Sequence, residues 1–190
     1  MSVYDLIFNR RTIRKFKQKP ISEDMLKKYI NVARVAPSAA NRQPLKYVGV
    51  LSQEKVAKVF DCVKWAGYLA PDYNPKETER PTAFIAVCVD RNISQAVYEM
   101  DIGAAVENII LTALEDGVGA CWMLSIDRPK ISEILNLPEN LTLSCVLALG
   151  YSDEEPKEVE MIDDNIKYYL ENGTLCVPKR SINEVLLEIV

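Results

Sequence analysis

The stretch YEMDIGAAVENIILTALEDG, residues 98–117, constrains the fold more than any other part of this chain. It is long and nearly apolar on most of its faces. It closes on Gly117, so the pattern predicts a helix with glycine just beyond its C-terminal end. A helix this apolar does not stand free at a surface. It needs cover on several sides, from a sheet and, beyond the sheet, from a partner subunit.

The flanking segments alternate between helix and strand. SVYDLIFNR carries a Ser2 cap, Asp5 three residues on, and Val3, Leu6 and Ile7 on one face, the pattern of a short first helix. After Pro20, Ile21 precedes the cap Ser22, Glu23 and Asp24 fill the first turn, and Leu26, Tyr29, Ile30 and Ala33 recur at helical spacing. The loop APSAANRQP follows, then a strand in KYVGVLS. A helix is expected in SQEKVAKVFDCVKW with Val56, Val59, Phe60 and Val63 inward. GYLAPDYNPKETERP, with three prolines in fifteen residues, predicts an exposed loop or lid. PTAFIAVCVD, GACWMLS and LTLSCVLALGY predict strands, and DRPKISEILN a capped helix. The final forty residues form a tail: acidic, then YYLENG, then a short amphipathic helix with a Ser181/Glu184 capping box. With no repeat and no linker, residues 1–190 are expected to form one domain. The class is an α/β or α+β sandwich of helices on a central sheet, assembled as a dimer.

Histidine is absent from all 190 residues. That removes serine and cysteine triads that rely on it, His-ligated zinc hydrolysis, and the commonest general base near neutral pH. Any difficult chemistry then falls to a cofactor. The five cysteines are widely spaced and form no CxxC pair, and Cys88, Cys121 and Cys145 lie in apolar runs, so reduced structural thiols are expected. No apolar run reaches membrane-spanning length, and the first residues lack the apolar core of a secretory signal, so a cytoplasmic location is expected.

Against 27 acidic and 23 basic residues overall, NRRTIRKFKQKP (residues 9–20) holds six basic residues and no acid. Asp5 and the capped helix before it argue against a targeting peptide. One basic stretch in an acidic chain, without an RNA- or DNA-binding pattern, argues against nucleic acid. A solvated connector is the plainest reading. Against it stand three arginines, Arg10, Arg11 and Arg14, around the hydroxyl of Thr12, a combination suited to phosphate. A second basic pair, Lys179-Arg180, lies near the far end.

The segment RRTIRKFKQKPISEDMLKKYINVARVAPSAANRQPLKYVGV resembles the opening of the nitroreductase family of flavin mononucleotide (FMN) enzymes. MDIGAAVENIILTALEDGVGACWM, LALGY and a closing KRSINEVL follow in that family's order. The resemblance implies an α+β fold, a mainly antiparallel central sheet flanked by helices, dimeric through the long central helix with the flavin at the interface. It implies that Arg10, Arg11, Thr12 and Arg14 contact the FMN phosphate and the pyrimidine edge of the ring, and that Lys179 and Arg180 complete the phosphate site. Pro37, Ser38, Ala39, Asn41 and Gln43 match a loop that reaches the flavin, typically of the other subunit. Met123, Leu124 and Ser125 match a strand end whose backbone lies against the ring.

The activity implied is hydride transfer from NADH or NADPH through flavin to nitro-aromatic or quinone-like acceptors by a ping-pong route. No side chain acts as catalyst, and neither metal, nucleic acid nor membrane takes part. The chain departs from the family in carrying Leu124-Ser125 where many members have an acidic residue and a glycine. It also has a short segment before Pro81, which implies reduced cover over the flavin. Plainer readings stand beside these: Arg11 facing solvent, Ser38 bonding its own loop, Trp122 and Met123 in the core, and Asp101 bonding local backbone. Two further functions remain open, a flavin-binding or storage protein without efficient NAD(P)H oxidation and a polyanion-binding module.

Overall fold

The computed structural model describes residues 2–96 and 98–190. Strand β3 (Ala83–Asp90) shows how the molecule is layered. All of its residues but the last are buried, and they divide by period two. Phe84, Ala86 and Cys88 enter one apolar cluster, while Ala83, Ile85, Val87 and Val89 enter a second. A strand covered on both faces reads as a continuous apolar run, as AFIAVCV does. Antiparallel partners lie on either edge, β2 (Leu45–Val50) and the twelve-residue β5 (Leu141–Ser152). β5 also pairs antiparallel with β4 (Val118–Met123) and with the two-residue β1 (Phe16–Lys17). The central sheet is therefore wholly antiparallel, which makes the class α+β.

On one face, α2 (Glu23–Ala33) and α4 (Glu99–Glu115) pack against the sheet. On the other lie α3 (Gln53–Phe60) and α5 (Arg128–Leu135). Ile102, Ala105, Val106, Ile109, Ile110 and Ala113 of α4 are all buried at helical spacing. The remaining positions from Gly103 to Leu114 are half-covered rather than exposed. Gly117, at φ 75°, turns the chain directly into β4, as its place in the sequence predicts.

The register of β5 against β3 slips by one residue at Val87/Cys88, where Val87 faces Cys145 and Cys88 faces Leu143. The slip lets Leu143 join one core and Cys145 the other. It frees the Ser144 carbonyl, which accepts hydrogen bonds from Arg128 Nε at 3.2 Å and Nη2 at 2.9 Å.

The first helix, α1 (Val3–Asn9), carries the expected Ser2/Asp5 capping box, but of its apolar face only Leu6 is buried. The third expected helix ends at Phe60, short of the predicted stretch. The tail departs most from expectation. It folds into a second sheet in which β8 (Thr174–Lys179) pairs parallel with β6 (Lys157–Glu160) and antiparallel with β7 (Tyr169–Glu171). Asn172 and Gly173 between β7 and β8 have φ of 51° and 82°, the two left-handed residues of a tight hairpin. The chain ends with α6 (Ile182–Val185) and its Ser181/Glu184 box.

All five cysteines are free and buried. Burial pushes the thiols of Cys88, Cys121 and Cys145 up to about 11. A colorimetric disulfide reagent should therefore titrate none of them promptly in the native protein and all five after denaturation. Prompt reaction of even one native thiol would show that its cover opens.

Candidate functional site

Residues 10–15 run extended between α1 and β1, and two glycines seat them on the sheet. Gly119 and Gly150 face each other across the β4–β5 pair. A Cβ on Gly119 would stand 2.6 Å from Ile13, and one on Gly150 would stand 2.8 Å from Phe16. Ile13 and Phe16, 7% and 0% exposed, thus occupy the space that two missing side chains leave. The Ile13 N–H donates to the Ala120 carbonyl at 3.0 Å. Anchored there, the segment holds its arginines along the outer side of the sheet.

Arg10 pairs with Glu107 of α4 at 3.2 Å. Arg11 pairs with Glu158, its side chain is only 10% exposed, and its buried Nε meets no partner among the described residues. Arg11 therefore does not face solvent. Thr12 beside it is half-buried. Strand β8 brings the other end of the chain to the same place. Arg11, Lys157, Lys179, Arg180 and Ser181 line one open groove of about 630 Å³. Lys179 and Arg180 are exposed, and Arg180 is bound to Asp164 at 2.8 Å and Glu184 at 3.3 Å.

The Arg14 guanidinium lies 4.8 Å from the centre of the Tyr168 ring, and that ring packs on Tyr68 at 4.9 Å. Glu154 organises the backbone below. Its carboxylate accepts the Arg14 N–H, the Lys15 N–H at 3.1 Å and the Tyr73 hydroxyl. Burial first, then that carboxylate, holds the Tyr73 phenol well above its ordinary range. The proline-rich segment is consequently not a free lid. Tyr73 and Pro75 are buried, and Lys15 lies 4.7 Å from the Tyr73 ring centre and 3.4 Å from Glu79. Gln18 Nε2 donates to the Thr78 and Arg80 carbonyls at 3.1 and 2.9 Å. Sequence reasoning missed Glu154 and Tyr168, because one acid among SDEEP and one tyrosine in an adjacent pair carry no distinguishing pattern. Lys179 and Arg180 had a structural signal in Asn172-Gly173, which marks the hairpin that delivers them.

The loop Pro37–Gln43 joins none of these. It hangs on α4 instead: the Ser38 hydroxyl donates to Asp101 Oδ2 at 2.5 Å and the Ala39 N–H to Oδ1 at 3.0 Å. The side chain of Gln43 donates to Asn41 Oδ1 at 3.0 Å. Both residues are exposed, as are Pro37 and Ala39. Met123 ends β4 in the core at 4% exposure, and Leu124 emerges at 58%. Ser125 is exposed, with its carbonyl accepting from the Lys64 N–H at 3.0 Å. Trp122, expected in the core, is 38% exposed. It stands at the end of the face on which Val118 and Ala120 are covered. Within the chain, then, the basic segment, β4 and the tail converge, while the Ser38 loop is presented elsewhere from α4.

Residues 7–151 match the family model described as the nitroreductase family. An Archaeoglobus fulgidus protein, provisionally named NADH dehydrogenase/NAD(P)H nitroreductase, is 32% identical over 166 residues, 84% of this chain and 90% of that one. Among solved structures, an FMN-dependent nitroreductase of Clostridium difficile R20291 superposes with a TM-score of 0.68 at 26% identity, over 88% of this chain and 97% of that one. A Desulfovibrio desulfuricans protein crystallised with FMN reaches a TM-score of 0.72 at 19% identity, over 100% and 98% of the two chains, a likeness of fold alone.

Proposed function

The chain belongs to the nitroreductase family, and on that premise we propose a single-domain, homodimeric, FMN-dependent oxidoreductase. It takes electrons from NADH or NADPH and delivers them to small nitro-aromatic or quinone-like acceptors by a ping-pong route. The observation that carries the reading is the groove in which Arg11, Lys179 and Arg180 meet from opposite ends of the chain. Its donors fit a phosphate. Guanidinium and ammonium groups line it with the Ser181 hydroxyl, and the buried Arg11 Nε lacks an acceptor among the described residues. Glu158 and Glu160 line the same groove. The Arg180 pairs with Asp164 and Glu184 are exposed at both partners, so exchanging them for a phosphate costs little.

Arg10, Arg11, Thr12, Lys179 and Arg180 would hold the phosphate, and Arg14 would place positive charge at the pyrimidine edge of the ring. Pro37, Ser38, Ala39, Asn41 and Gln43 would reach the cofactor of the second subunit. The backbone of Met123, Leu124 and Ser125 would lie along the ring. Bound flavin supplies hydride acceptance and delivery, which no side chain here can perform. The protein supplies position, charge and exclusion of water, and Tyr68 and Tyr168 offer flat aromatic surfaces beside Arg14 to a planar acceptor. No helix among the described residues is long and apolar enough to cross a membrane, and we place the activity in the cytoplasm.

The test is a visible spectrum after FMN addition and desalting, repeated after anaerobic NADH or NADPH. A retained yellow spectrum that bleaches promptly is expected. Retained colour that dithionite alone removes would make the protein a flavin binder rather than a reductase, and colourless protein would overturn the reading. Replacing Lys179 and Arg180 together with alanine should weaken FMN by about 10–100-fold, two charge-assisted contacts' worth, and leave riboflavin, which lacks the phosphate, nearly unchanged. Equal losses for both ligands would remove the pair from the phosphate site. Arg14→Ala should slow reduction by NADH by about tenfold or more. An unchanged reduction rate at full flavin occupancy would show that Arg14 does not act on the ring.

A further inference from the structure

Asp101 is 5% exposed and stands in the first turn of α4. Among the described residues no cation pairs with it. The two donors of the Ser38 loop and the positive end of α4 are what balance its charge. Those bonds do more than satisfy the carboxylate. Ser38 Oγ, donating to Asp101, also accepts the Gln43 N–H at 2.9 Å. One buried group thereby closes the loop at both ends, through Ser38 and Ala39 at its start and through Ser38 to Gln43 at its finish.

The residues enclosed need such a hold. Ala40, Asn41 and Gln43 have φ of 51°, 53° and 51°, the left-handed region that asparagine tolerates but alanine and glutamine avoid. With two of those residues strained and no glycine among them, the loop keeps that shape only while its surroundings impose it. Released, it would return to ordinary backbone values and carry the Asn41 and Gln43 amides with it. Those two side chains are joined at 3.0 Å and exposed, so the loop presents them as a pair.

We propose that Asp101 is the positioning residue that presents the Ser38–Gln43 loop to the cofactor, so that the place of the Asn41 and Gln43 amides is set from α4. This rests on the flavin reading above. Asp101 acts through Ser38 and not on cofactor or substrate.

Asp101→Asn, Asp101→Ala, Ser38→Ala and the Asp101→Asn/Ser38→Ala double variant test it, with two readouts on the full chain. The first is amide hydrogen exchange of residues 38–43 in protein prepared without flavin, and the second is the FMN dissociation constant. Asparagine keeps the size but can accept only one of the two donors. The expected result is exchange at Ala39 and Gln43 accelerated by about tenfold or more, with α4 and β3 unchanged, and FMN bound about tenfold more weakly. The double variant should bind FMN no more weakly than the worse single one, because both lie on one path. Unchanged exchange in the loop, FMN affinity within about twofold of the parent, or fully additive losses would each overturn the proposal. A residue that merely stabilises the core would instead lower the melting temperature and leave the loop exchange ratio and the flavin constant alone. If Asp101→Ala fails to fold, the asparagine variant decides. Parent protein that binds no FMN would overturn the flavin reading, and the exchange readout would still show whether Asp101 holds the loop.

Discussion

Gly119→Ala is expected to destabilise the protein by about 1–3 kcal/mol and to weaken FMN binding, although it removes no group that touches the cofactor. The added methyl would meet Ile13 at Cγ1 (2.6 Å), Cβ (2.8 Å) and Cγ2 (3.0 Å). A flexible side-chain tip could swing away, but Ile13 Cβ is fixed to the backbone, and that backbone is bonded to Ala120. Either that bond breaks or residues 12–14 lift from the sheet, and both displace the arginines on either side. Gly150→Ala should act alike through Phe16, whose Cβ would be 2.9 Å away. The signature is compensation. Ile13→Ala alone loses packing, and combined with Gly119→Ala it should recover at least about 0.5 kcal/mol relative to additivity. Urea midpoints and FMN titrations of the three variants measure this. Additive stabilities together with unchanged FMN affinity would mean that the glycine seat does not hold the segment.

That seat shows which features the sequence disclosed and which it hid. The α4 helix, its Gly117 exit and both serine capping boxes were legible because each is decided within one or two helical turns. The buried strand β3 was legible because cover on both faces leaves an unbroken apolar run. The pairing of Gly119 with Gly150 was not, since its meaning appears only when β4 and β5 are brought into register. Strand β6 was hidden for the same reason. Its parallel partner β8 lies beyond a hairpin, and neither KEVE nor TLCVPK alternates in a way that names a core face. Trp122 misled because period two in a strand predicts a shared face but not how far the cover on that face extends.

The basic residues at both ends of the chain were identifiable by type. That Arg11, Lys179 and Arg180 line one groove depends on the tail sheet, whose hairpin Asn172-Gly173 marks but whose β6–β8 pairing no local pattern announces. Asp101 was visible as an acid in apolar surroundings. Its partners were not, because the loop it holds lies some sixty residues earlier, Ser38 being 63 positions away.

The same distinction between a residue and its partners makes Glu154 a costly side chain to remove, since three donors from two segments meet on it. Glu154→Ala should destabilise the protein by about 2–4 kcal/mol, because three donors lose one half-buried acceptor and each orphaned donor costs about 1–3 kcal/mol before water offsets part of it. Two of those donors are the N–H groups of Arg14 and Lys15, and the third is the hydroxyl of Tyr73. The loss therefore loosens the cofactor segment and the cover segment together. Limited proteolysis should show the cleavage that follows in residues 67–81, and FMN should bind more weakly. Tyr73→Phe removes only the hydroxyl, so it should free the cover while leaving residues 14 and 15 held, with FMN affinity changed by less than about threefold. Glu154→Gln keeps an acceptor without the charge and should fall between the two.

Removing the carboxylate also takes away the second of the influences that raise the Tyr73 phenol, after burial. Its ionisation should then move back towards the ordinary tyrosine value, which an ultraviolet tyrosinate titration can follow. If Glu154→Ala loosened the cover but kept FMN affinity, the two segments would be mechanically separate, and the carboxylate would serve the cover alone. If it weakened FMN in step with Tyr73 release, one side chain would set both the seat of Arg14 and the closure above it.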